Sequence, residues 1–218
     1  MYVLNDFKDL ANTLFPRFCP LCGKRLKSDE IICAECKKKI DPLPYRESLR
    51  GKGFFDDFYY RAAYKGIMGK LIKVYKFAPR PSLAEFLAEG ILEIFERFPP
   101  LPGSVLTYVP PTFKSLKEKG FDHMKTLAKQ LSRKSGLPLC TLLEVKKQKG
   151  YQVGLSQEER REQIRAKYMV LSENLYRTSG KVVLIDDVFT TGATVNECSR
   201  ILKLAGASHV SVYTLAKS

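Results

Sequence analysis

The stretch that decides the fold is VVLIDDVFTTGAT, residues 182–194. Four apolar residues lead directly into Asp186 and Asp187, and a loop of small and hydroxyl residues follows. Apolar side chains then recur at helical spacing from Val195 to Leu202, so the pattern predicts a strand, a loop and a helix. A strand that is apolar on both faces is typical of a parallel α/β sheet covered on both sides. Such sheets bind ligands beyond the carboxyl ends of their strands, where we expect the two aspartates to lie.

The loop after the aspartates has the chemistry of a phosphate site. It offers backbone N–H groups, three hydroxyls and a glycine where the chain must turn tightly, and it opens onto the N-terminus of a helix. It contains no lysine, and the P-loop pattern GxxxxGK[ST] is absent. The acidic pair suits adjacent hydroxyls or a hydrated Mg²⁺. Phosphate and diol together describe a ribose 5-phosphate, and the alternative is a simple strand-end turn in which an aspartate caps the helix.

This ordered string resembles the phosphoribosyl pyrophosphate (PRPP) motif of type I phosphoribosyltransferases. The resemblance implies that Asp186 and Asp187 hold the ribose hydroxyls, which makes them the candidate catalytic residues. It assigns the 5-phosphate to Thr190, Thr191, Gly192, Ala193 and Thr194.

Two Cys-x₂-Cys pairs near the start of the chain predict a structural zinc site. Ten residues separate the pairs, and this spacing is typical of a zinc site with four thiolate ligands. All four ligands come from the protein, so no position remains for a reactive water. The alternative is a pair of disulfides, which a reducing compartment disfavours. The four cysteines are Cys19, Cys22, Cys33 and Cys36.

The pattern along the chain divides it into two parts. We expect residues 1–50 to form an N-terminal helix and the zinc module, and residues 54–218 to form the α/β domain. A helix opened by Ser82, a core strand over 105–109 and a closing strand over 209–215 are predicted within that domain. No leader or membrane span is visible, so we expect a cytoplasmic protein. The net charge of +14 favours an anionic partner or, alternatively, a solvated lysine-rich surface.

The whole chain resembles the ComF family, which is tied to competence for DNA uptake. This implies a type I phosphoribosyltransferase-like parallel sheet flanked by helices, with a small N-terminal four-cysteine zinc ribbon. The chain has Gly-Phe-Asp-His at 120–123 where Gly-Phe-Asn-Gln is usual, and Lys119 where arginine is usual. The segments that carry the resemblance, besides the cysteine pairs and the PRPP motif, are 64–66, 75–77, 117–121, 152–155 and 159–160.

Three functions fit these features. The first is a phosphoribosyltransferase, in which PRPP binds with Mg²⁺, pyrophosphate leaves, and a nitrogen nucleophile adds at C1 of the ribose. Positioning and charge stabilisation dominate such chemistry. Lys114 is the candidate cation for the pyrophosphate, and the loop over 146–154 is a candidate lid. Further candidate cations are Lys76, Lys117 and Lys119.

The other two functions need no turnover. One is an accessory protein that binds single-stranded DNA or a DNA-uptake helicase through basic segments such as Lys125, Lys129 and Arg133. The other is a sensor that binds PRPP. We favour a PRPP-binding competence protein and leave catalysis and the acceptor open. His123 and His209 are not nominated as catalysts, because they are far apart in the sequence and have no evident partners.

Overall fold

A computed structural model describes most of the α/β domain and the cysteine pairs. The described residues are 17–27, 30–40, 45–47, 53–77, 80–146, 167–171, 174 and 180–218. The predicted N-terminal helix and nearly all of the candidate lid over 146–154 lie outside them.

A five-stranded sheet forms the centre of the protein, with the strand order β1-β2-β7-β6-β3. Strands β2, β7, β6 and β3 run parallel, and β1 pairs antiparallel with β2 at one edge. A separate antiparallel pair is formed by β4 and β5. The predicted parallel sheet is therefore confirmed. The strands are β1 (Tyr45–Glu47), β2 (Asp57–Ala63), β3 (Val105–Tyr108), β4 (Leu143–Val145), β5 (Tyr168–Val170), β6 (Lys181–Phe189) and β7 (His209–Lys217).

Helices cover both faces of the sheet. The helices of the described residues are α1 (Ala34–Lys38) in the cysteine module, α2 (Gly66–Phe77), α3 (Pro81–Arg97), α4 (Phe113–Lys119), α5 (His123–Ser135) and α6 (Ala193–Leu204). Helix α4 buries none of its side chains. Helix α3 begins at Pro81, so the prediction that Ser82 is its N-cap is wrong. Proline at the first helical position already has a helical φ and lacks the N–H that a cap would satisfy. In the part of the chain that the structure describes, none of the helices has the length and apolar character that crossing a membrane requires.

Strand β6 separates two apolar cores. Val183 and Ile185 belong to the core beneath α2, α3 and α5, while Val182 and Leu184 belong to the core beneath α6 and the β4–β5 pair. All four side chains are almost completely buried, as the unbroken apolar run predicts. Burying a side chain of this size contributes about 1.5–3 kcal/mol, so β6 is firmly anchored between the two layers.

The acidic pair lies inside β6 rather than beyond its end, which differs from the sequence expectation. The ladder with β7 continues to the pair Phe189↔Lys217. The ladder with β3 stops at Tyr108↔Ile185, and the last hydrogen bond on that side runs from Val109 N to Ile185 O (3.0 Å). The chain then leaves the sheet toward α4. Only one neighbouring strand, β7, therefore flanks Asp186 and Asp187, and the side from which β3 departs is called the crevice beside β6.

The cysteine module packs directly on the α/β domain. Cys19, Cys33 and Cys36 belong to the same buried apolar cluster as side chains of α2 and α3, such as Leu71 and Leu87. The apolar contact predicts that loss of the cysteine site would also disturb the neighbouring helices. The division of the chain near residue 50 remains a prediction.

Candidate functional site

Asp187 is the buried member of the acidic pair, and each of its carboxylate oxygens has a partner. Its Oδ1 lies 2.9 Å from Lys76 Nζ in the last turn of α2. Its Oδ2 lies 2.8 Å from Nε2 of His123, the first residue of α5. Burial opposes ionisation, but the hydrogen bond from His123 and the charge of Lys76 outweigh it and lower the pKa of Asp187. Asp187 is therefore ionised at neutral pH.

Asp186 has a different environment, although it is the adjacent residue. Successive side chains of a strand point to opposite faces, so Asp186 points toward the layer that contains β5 and α6. Its Oδ1 accepts a hydrogen bond from Asp187 N at 2.8 Å. Burial, followed by the neighbouring charge of Asp187, raises the pKa of Asp186 to about 8. The pair thus holds one proton at neutral pH, and the two carboxylates are not equivalent.

The loop over 190–194 connects β6 to α6 with the turn that the sequence predicts. Gly192 is the N-cap of α6 and has a φ of +76°. A Cβ at this position would lie 2.4 Å from Cζ of Phe189, so only glycine fits without a shift of that ring. The first intrahelical hydrogen bond runs from Asn196 N to Gly192 O (2.9 Å), which leaves the preceding N–H groups at the open end of the helix.

The hydroxyls of this loop differ in their surroundings. Thr190 and Thr191 are exposed, and Thr191 Oγ1 accepts a weak hydrogen bond from Ala193 N at 3.4 Å. Thr194 is partly buried and is hydrogen-bonded to the phenol of Tyr168 on β5. The hydroxyls of Thr190 and Thr191 are therefore accessible to a ligand, whereas Thr194 also ties the loop to β5.

Lys76 and Lys119 are cations near the acidic pair, and Lys167, just before β5, also interacts with Asp186. The ammonium of Lys119, at the end of α4, is close enough to interact with both aspartates, and burial followed by the charge of Lys76 lowers its pKa. The structure does not bring Lys114 to the acidic pair. Its side chain is 70% exposed, and the one carboxylate within 4.0 Å among the described residues is Glu118, at 3.9 Å.

The expectation that the two histidines lack partners is wrong. His123 bonds Asp187, 64 positions further along the chain. His209 Nε2 lies 3.0 Å from Asp57 Oδ2, at the amino end of β7 and thus away from the crevice. Sequence reasoning missed His123 because its partner is remote in the chain. The one sequence feature that marked it was the departure from Gly-Phe-Asn-Gln at residues 120–123.

The four predicted cysteines lie together at the second candidate site. Their sulfur atoms all lie within 4.8 Å of one another, and Cys22 Sγ is 3.5 Å from Cys33 Sγ. Tetrahedral Zn–S bonds of about 2.3 Å place sulfurs about 3.8 Å apart, so the donor set fits zinc. None of the six cysteines, all in described segments, forms a disulfide. Burial and the neighbouring thiols raise the pKa of Cys36 to about 12, a crowding that a bound cation would relieve.

The backbone around these cysteines forms the two knuckles that the spacing predicts. Gly23 N donates to Cys19 O at 2.9 Å, with Gly23 at a φ of +75°. Lys37 N donates to Cys33 O at 3.0 Å at the start of α1. Each knuckle brings both of its sulfurs to one side of a turn, so all four ligands are positioned by local backbone geometry.

The predicted basic face of α5 is partly neutralised. Lys125 and Lys129 are exposed. Near the end of the helix, Lys134 Nζ lies 3.0 Å from Glu85 Oε1, and Arg133 is 3.8 Å from the same carboxylate on α3. The free positive charge of this helix is therefore concentrated in its first half.

Comparison with known proteins gives the chain two matching family models. The model described as "Phosphoribosyl transferase domain" matches residues 108–218, slightly more than half of the chain. The model described as "Double zinc ribbon domain" matches residues 10–48. The two models therefore cover the crevice beside β6 and the four cysteines, respectively.

Two curated relatives and one solved structure illustrate the similarity. Competence protein ComFC of Bacillus subtilis is 26% identical over 201 residues, covering 92% of this chain and 78% of the relative. Competence protein F of Haemophilus influenzae is 33% identical over 102 residues, covering 46% and 44%. The glutamine PRPP amidotransferase of B. subtilis is 21% identical with a TM-score of 0.45, and the match covers 66% of this chain but 30% of the amidotransferase. With its transferase domain, its cysteine ribbon and its competence-protein relatives, the chain belongs to the ComF family of phosphoribosyl transferase domain proteins.

Proposed function

We propose that this protein binds PRPP, together with Mg²⁺, in the crevice beside β6. The observation that carries the proposal is the continuity of three features: the acidic pair, the Gly192 turn and the open N-terminus of α6. They follow one another without interruption where the β3 ladder ends. Belonging to the phosphoribosyl transferase domain family supports this choice of ligand over other ribose phosphates.

The 5-phosphate would bind at the start of α6. The N–H groups of the first turn and the exposed hydroxyls of Thr190 and Thr191 are the donors there. The helix dipole adds about 0.3–1 kcal/mol for an anion at this end. The closeness of the Gly192 backbone to Phe189 keeps the turn narrow, so a phosphate would approach the main chain directly.

The ribose and pyrophosphate would occupy the side where Lys76 and Lys119 lie. Lys76 is paired with Asp187 in the absence of ligand, and a pyrophosphate offers it a stronger partner. Among the described residues, the four cysteines are the one group of three or more metal-binding side chains close enough to hold an ion. Mg²⁺ would therefore be held mainly by pyrophosphate and ribose oxygens and would enter with PRPP, as is common for this ion. Bound there, it would supply positive charge to the leaving pyrophosphate.

The arrangement suits group transfer through positioning rather than through proton shuttling. A ribose held by its hydroxyls and its 5-phosphate has C1 fixed, while Lys76 and Lys119 would stabilise the departing negative charge. Whether an acceptor then adds is a separate question that pyrophosphate release can answer.

Isothermal titration of PRPP with Mg²⁺ tests the proposal. At pH 9, where Asp186 is ionised because its pKa is about 8, we expect wild-type protein to bind in the millimolar range or tighter. Asp186→Asn should weaken binding at least about tenfold without breaking the ion pairs of Asp187. The double variant Asp56→Asn/Asp57→Asn is the matched control, because it removes two adjacent carboxylates at the other end of the sheet. Absence of binding in the wild type, or equal binding in all three proteins, would overturn the proposal.

Single-stranded DNA is the second candidate ligand, in a role in DNA uptake that includes contact with an uptake helicase. The support is the competence naming of the relatives and the exposed lysines in the first half of α5. Binding to phosphates should weaken linearly with the logarithm of salt concentration. Lys125→Glu/Lys129→Glu should weaken binding to all sequences alike, and Arg133→Glu alone should have less effect because Arg133 already faces Glu85. Unchanged DNA binding in the double variant would mean that this face of α5 is only a solvated surface.

A further inference from the structure

We infer that His123 is a positioning residue, which holds the carboxylate of Asp187 in the orientation that binds the ribose hydroxyls. The inference rests on the proposed PRPP site and adds a residue from outside the motif to it. Asp187 presents two oxygens, and each has one partner: Lys76 at Oδ1 and His123 at Oδ2. The two partners have different relationships to solvent.

The difference in exposure decides which partner a ligand can replace. The Lys76 side chain is 23% exposed, whereas that of His123 is 4% exposed. The ammonium of Lys76 is carried by a long, flexible side chain at the end of a helix, so it can move to a bound pyrophosphate. If His123 moved away from Oδ2, its buried Nε2 would either become exposed to solvent or lose its hydrogen-bond partner. A ribose hydroxyl would therefore take the place of Lys76 at Oδ1, while His123 stays.

The imidazole of His123 is fixed by its surroundings. The backbone carbonyl oxygen of His123 accepts a hydrogen bond from the phenol of Tyr75 at 2.5 Å. The rings of Tyr75 and Phe121 lie edge-on to it, with centroids 5.9 Å and 6.4 Å away. Asp122 caps α5 immediately before it by accepting from Lys125 N at 2.8 Å. The side chain thus has both a fixed backbone and a fixed ring orientation.

The hydrogen-bond pattern also assigns the proton of the ring. Nδ1 is buried and has no partner among the described residues, whereas Nε2 faces the carboxylate. The neutral tautomer with hydrogen on Nε2 makes the bond to Asp187 and leaves only an acceptor lone pair without a partner. In this form His123 donates to Asp187 through Nε2. It acts as a rigid donor that prevents the carboxylate of Asp187 from rotating when Lys76 departs.

A glutamine at position 123 offers the matched rescue, because its side-chain amide carries an N–H donor with comparable reach. A leucine has similar bulk but no donor. Leu127→Val, on the next turn of α5, is a control that perturbs the same buried helix face without touching the bond to Asp187. The three variants separate loss of the donor from loss of packing.

The test compares binding of ribose 5-phosphate and 2-deoxyribose 5-phosphate by titration calorimetry. We expect wild type to prefer the ribose compound by about tenfold, the value of one hydrogen bond to a charged group. His123→Leu should reduce that preference to near unity while phosphate-dependent binding of the deoxy compound persists. His123→Gln and Leu127→Val should keep it. A preference retained in His123→Leu, or one already missing in a wild type that binds PRPP, overturns the inference and leaves the proposed function standing. A wild type that binds no sugar phosphate overturns both.

A second measurement uses the wild-type protein alone, in case His123→Leu does not fold. The chain has two histidines, so nitrogen NMR of the rings can be assigned by His209→Asn. We expect His123 to show a protonated Nε2 and a bare Nδ1, and to keep this tautomer when PRPP binds. A switch of tautomer, or loss of the Nε2 hydrogen bond on binding, overturns the inference.

Discussion

Lys76 Nζ and Asp187 Oδ1 are 2.9 Å apart, which joins the end of α2 to the middle of the crevice beside β6. The ion pair neutralises a buried carboxylate in the ligand-free protein. It also keeps an ammonium beside the site proposed for pyrophosphate. The same lysine can therefore stabilise the empty site and then bind the incoming anion.

The first prediction is that Lys76→Met weakens PRPP binding far more than Lys114→Met. Removing Lys76 takes away a charge-assisted contact to pyrophosphate worth about 1.5–3 kcal/mol, or about 10–100-fold in affinity. Lys114 is the matched control, since it changes the same charge on the exposed side of α4. Titration calorimetry with PRPP and with ribose 5-phosphate measures both. The loss in Lys76→Met should be larger for PRPP, which carries the pyrophosphate.

Equal losses in the two lysine variants would contradict this assignment. A larger loss in Lys114→Met would restore the original sequence prediction for Lys114 and would mean that α4 moves toward the crevice when ligand binds.

The second prediction concerns the cysteines. Metal analysis should find one zinc ion per chain, and Cys33→Ser should abolish it and unfold the ribbon, because binding energy at such sites is folding energy. Since Cys33 and Cys36 share a buried cluster with α2 and α3, the melting temperature of the whole domain should fall as well. Cys140→Ala is the control: this residue is also buried but lies apart from the four sulfurs, so zinc content should not change.

A zinc-free wild type with two disulfides in freshly prepared protein would contradict the assignment of the four cysteines. A Cys33→Ser variant with a normal melting temperature would show instead that the ribbon contributes little to the stability of the domain.

The predicted features that are confirmed depend on residues close together in the sequence. The apolar run before Asp186 and the two cysteine pairs carry their own periodicity or spacing, so strand and knuckles follow from local rules. The place of Asp186 inside β6 was missed because strand length depends on pairing with β7, which is set by a neighbour in space. The place of Lys76 and His123 depends on how α2 and α5 pack against β6. No pattern within either helix encodes that packing, so His123 was missed, and Lys76 was named among the candidate cations without its partner Asp187.

The third prediction concerns Gly192. Gly192→Ala should weaken phosphate binding and lower stability by about 1–3 kcal/mol, because φ is +76° and the new Cβ would lie 2.4 Å from the Phe189 ring. Gly180→Ala, just before β6, is the matched control because its Cβ would meet nothing within 4 Å. Adding Phe189→Leu to Gly192→Ala separates the two causes, since it can relieve the clash with the ring but not the backbone strain. Urea unfolding and phosphate titration measure both effects.

A Gly192→Ala protein as stable as Gly180→Ala, with unchanged phosphate affinity, would contradict the need for a narrow turn at this position.

The last prediction is that neutralising the two adjacent aspartates changes stability in opposite directions. The pKa of Asp186 is raised to about 8 by burial and by Asp187, so the folded protein keeps a proton that the unfolded chain releases near pH 4. Because the folded state binds more protons between these values, its stability falls as pH rises through that window. Asp186→Asn mimics the protonated form permanently. It should match wild type near pH 4 and become progressively more stable than wild type as pH rises toward 8.

Asp187→Asn should have the reverse effect. The pKa of Asp187 is lowered, since burial is outweighed by His123 and Lys76, so its stabilising charge is present throughout the range from pH 5 to 8 and is lost only in stronger acid. Removing that charge leaves Lys76 and His123 without their partner, at a cost of about 2–4 kcal/mol across this range. Urea unfolding of both variants at pH 5 and pH 8, without ligand or Mg²⁺, separates the two behaviours. If Asp186→Asn is less stable than wild type at pH 8, or if Asp187→Asn is as stable as wild type, the proton of the pair is not held by Asp186. If the prediction holds, the carboxyl group of Asp186 lowers the stability of the folded protein above pH 4. This is expected of a residue kept for binding rather than for folding.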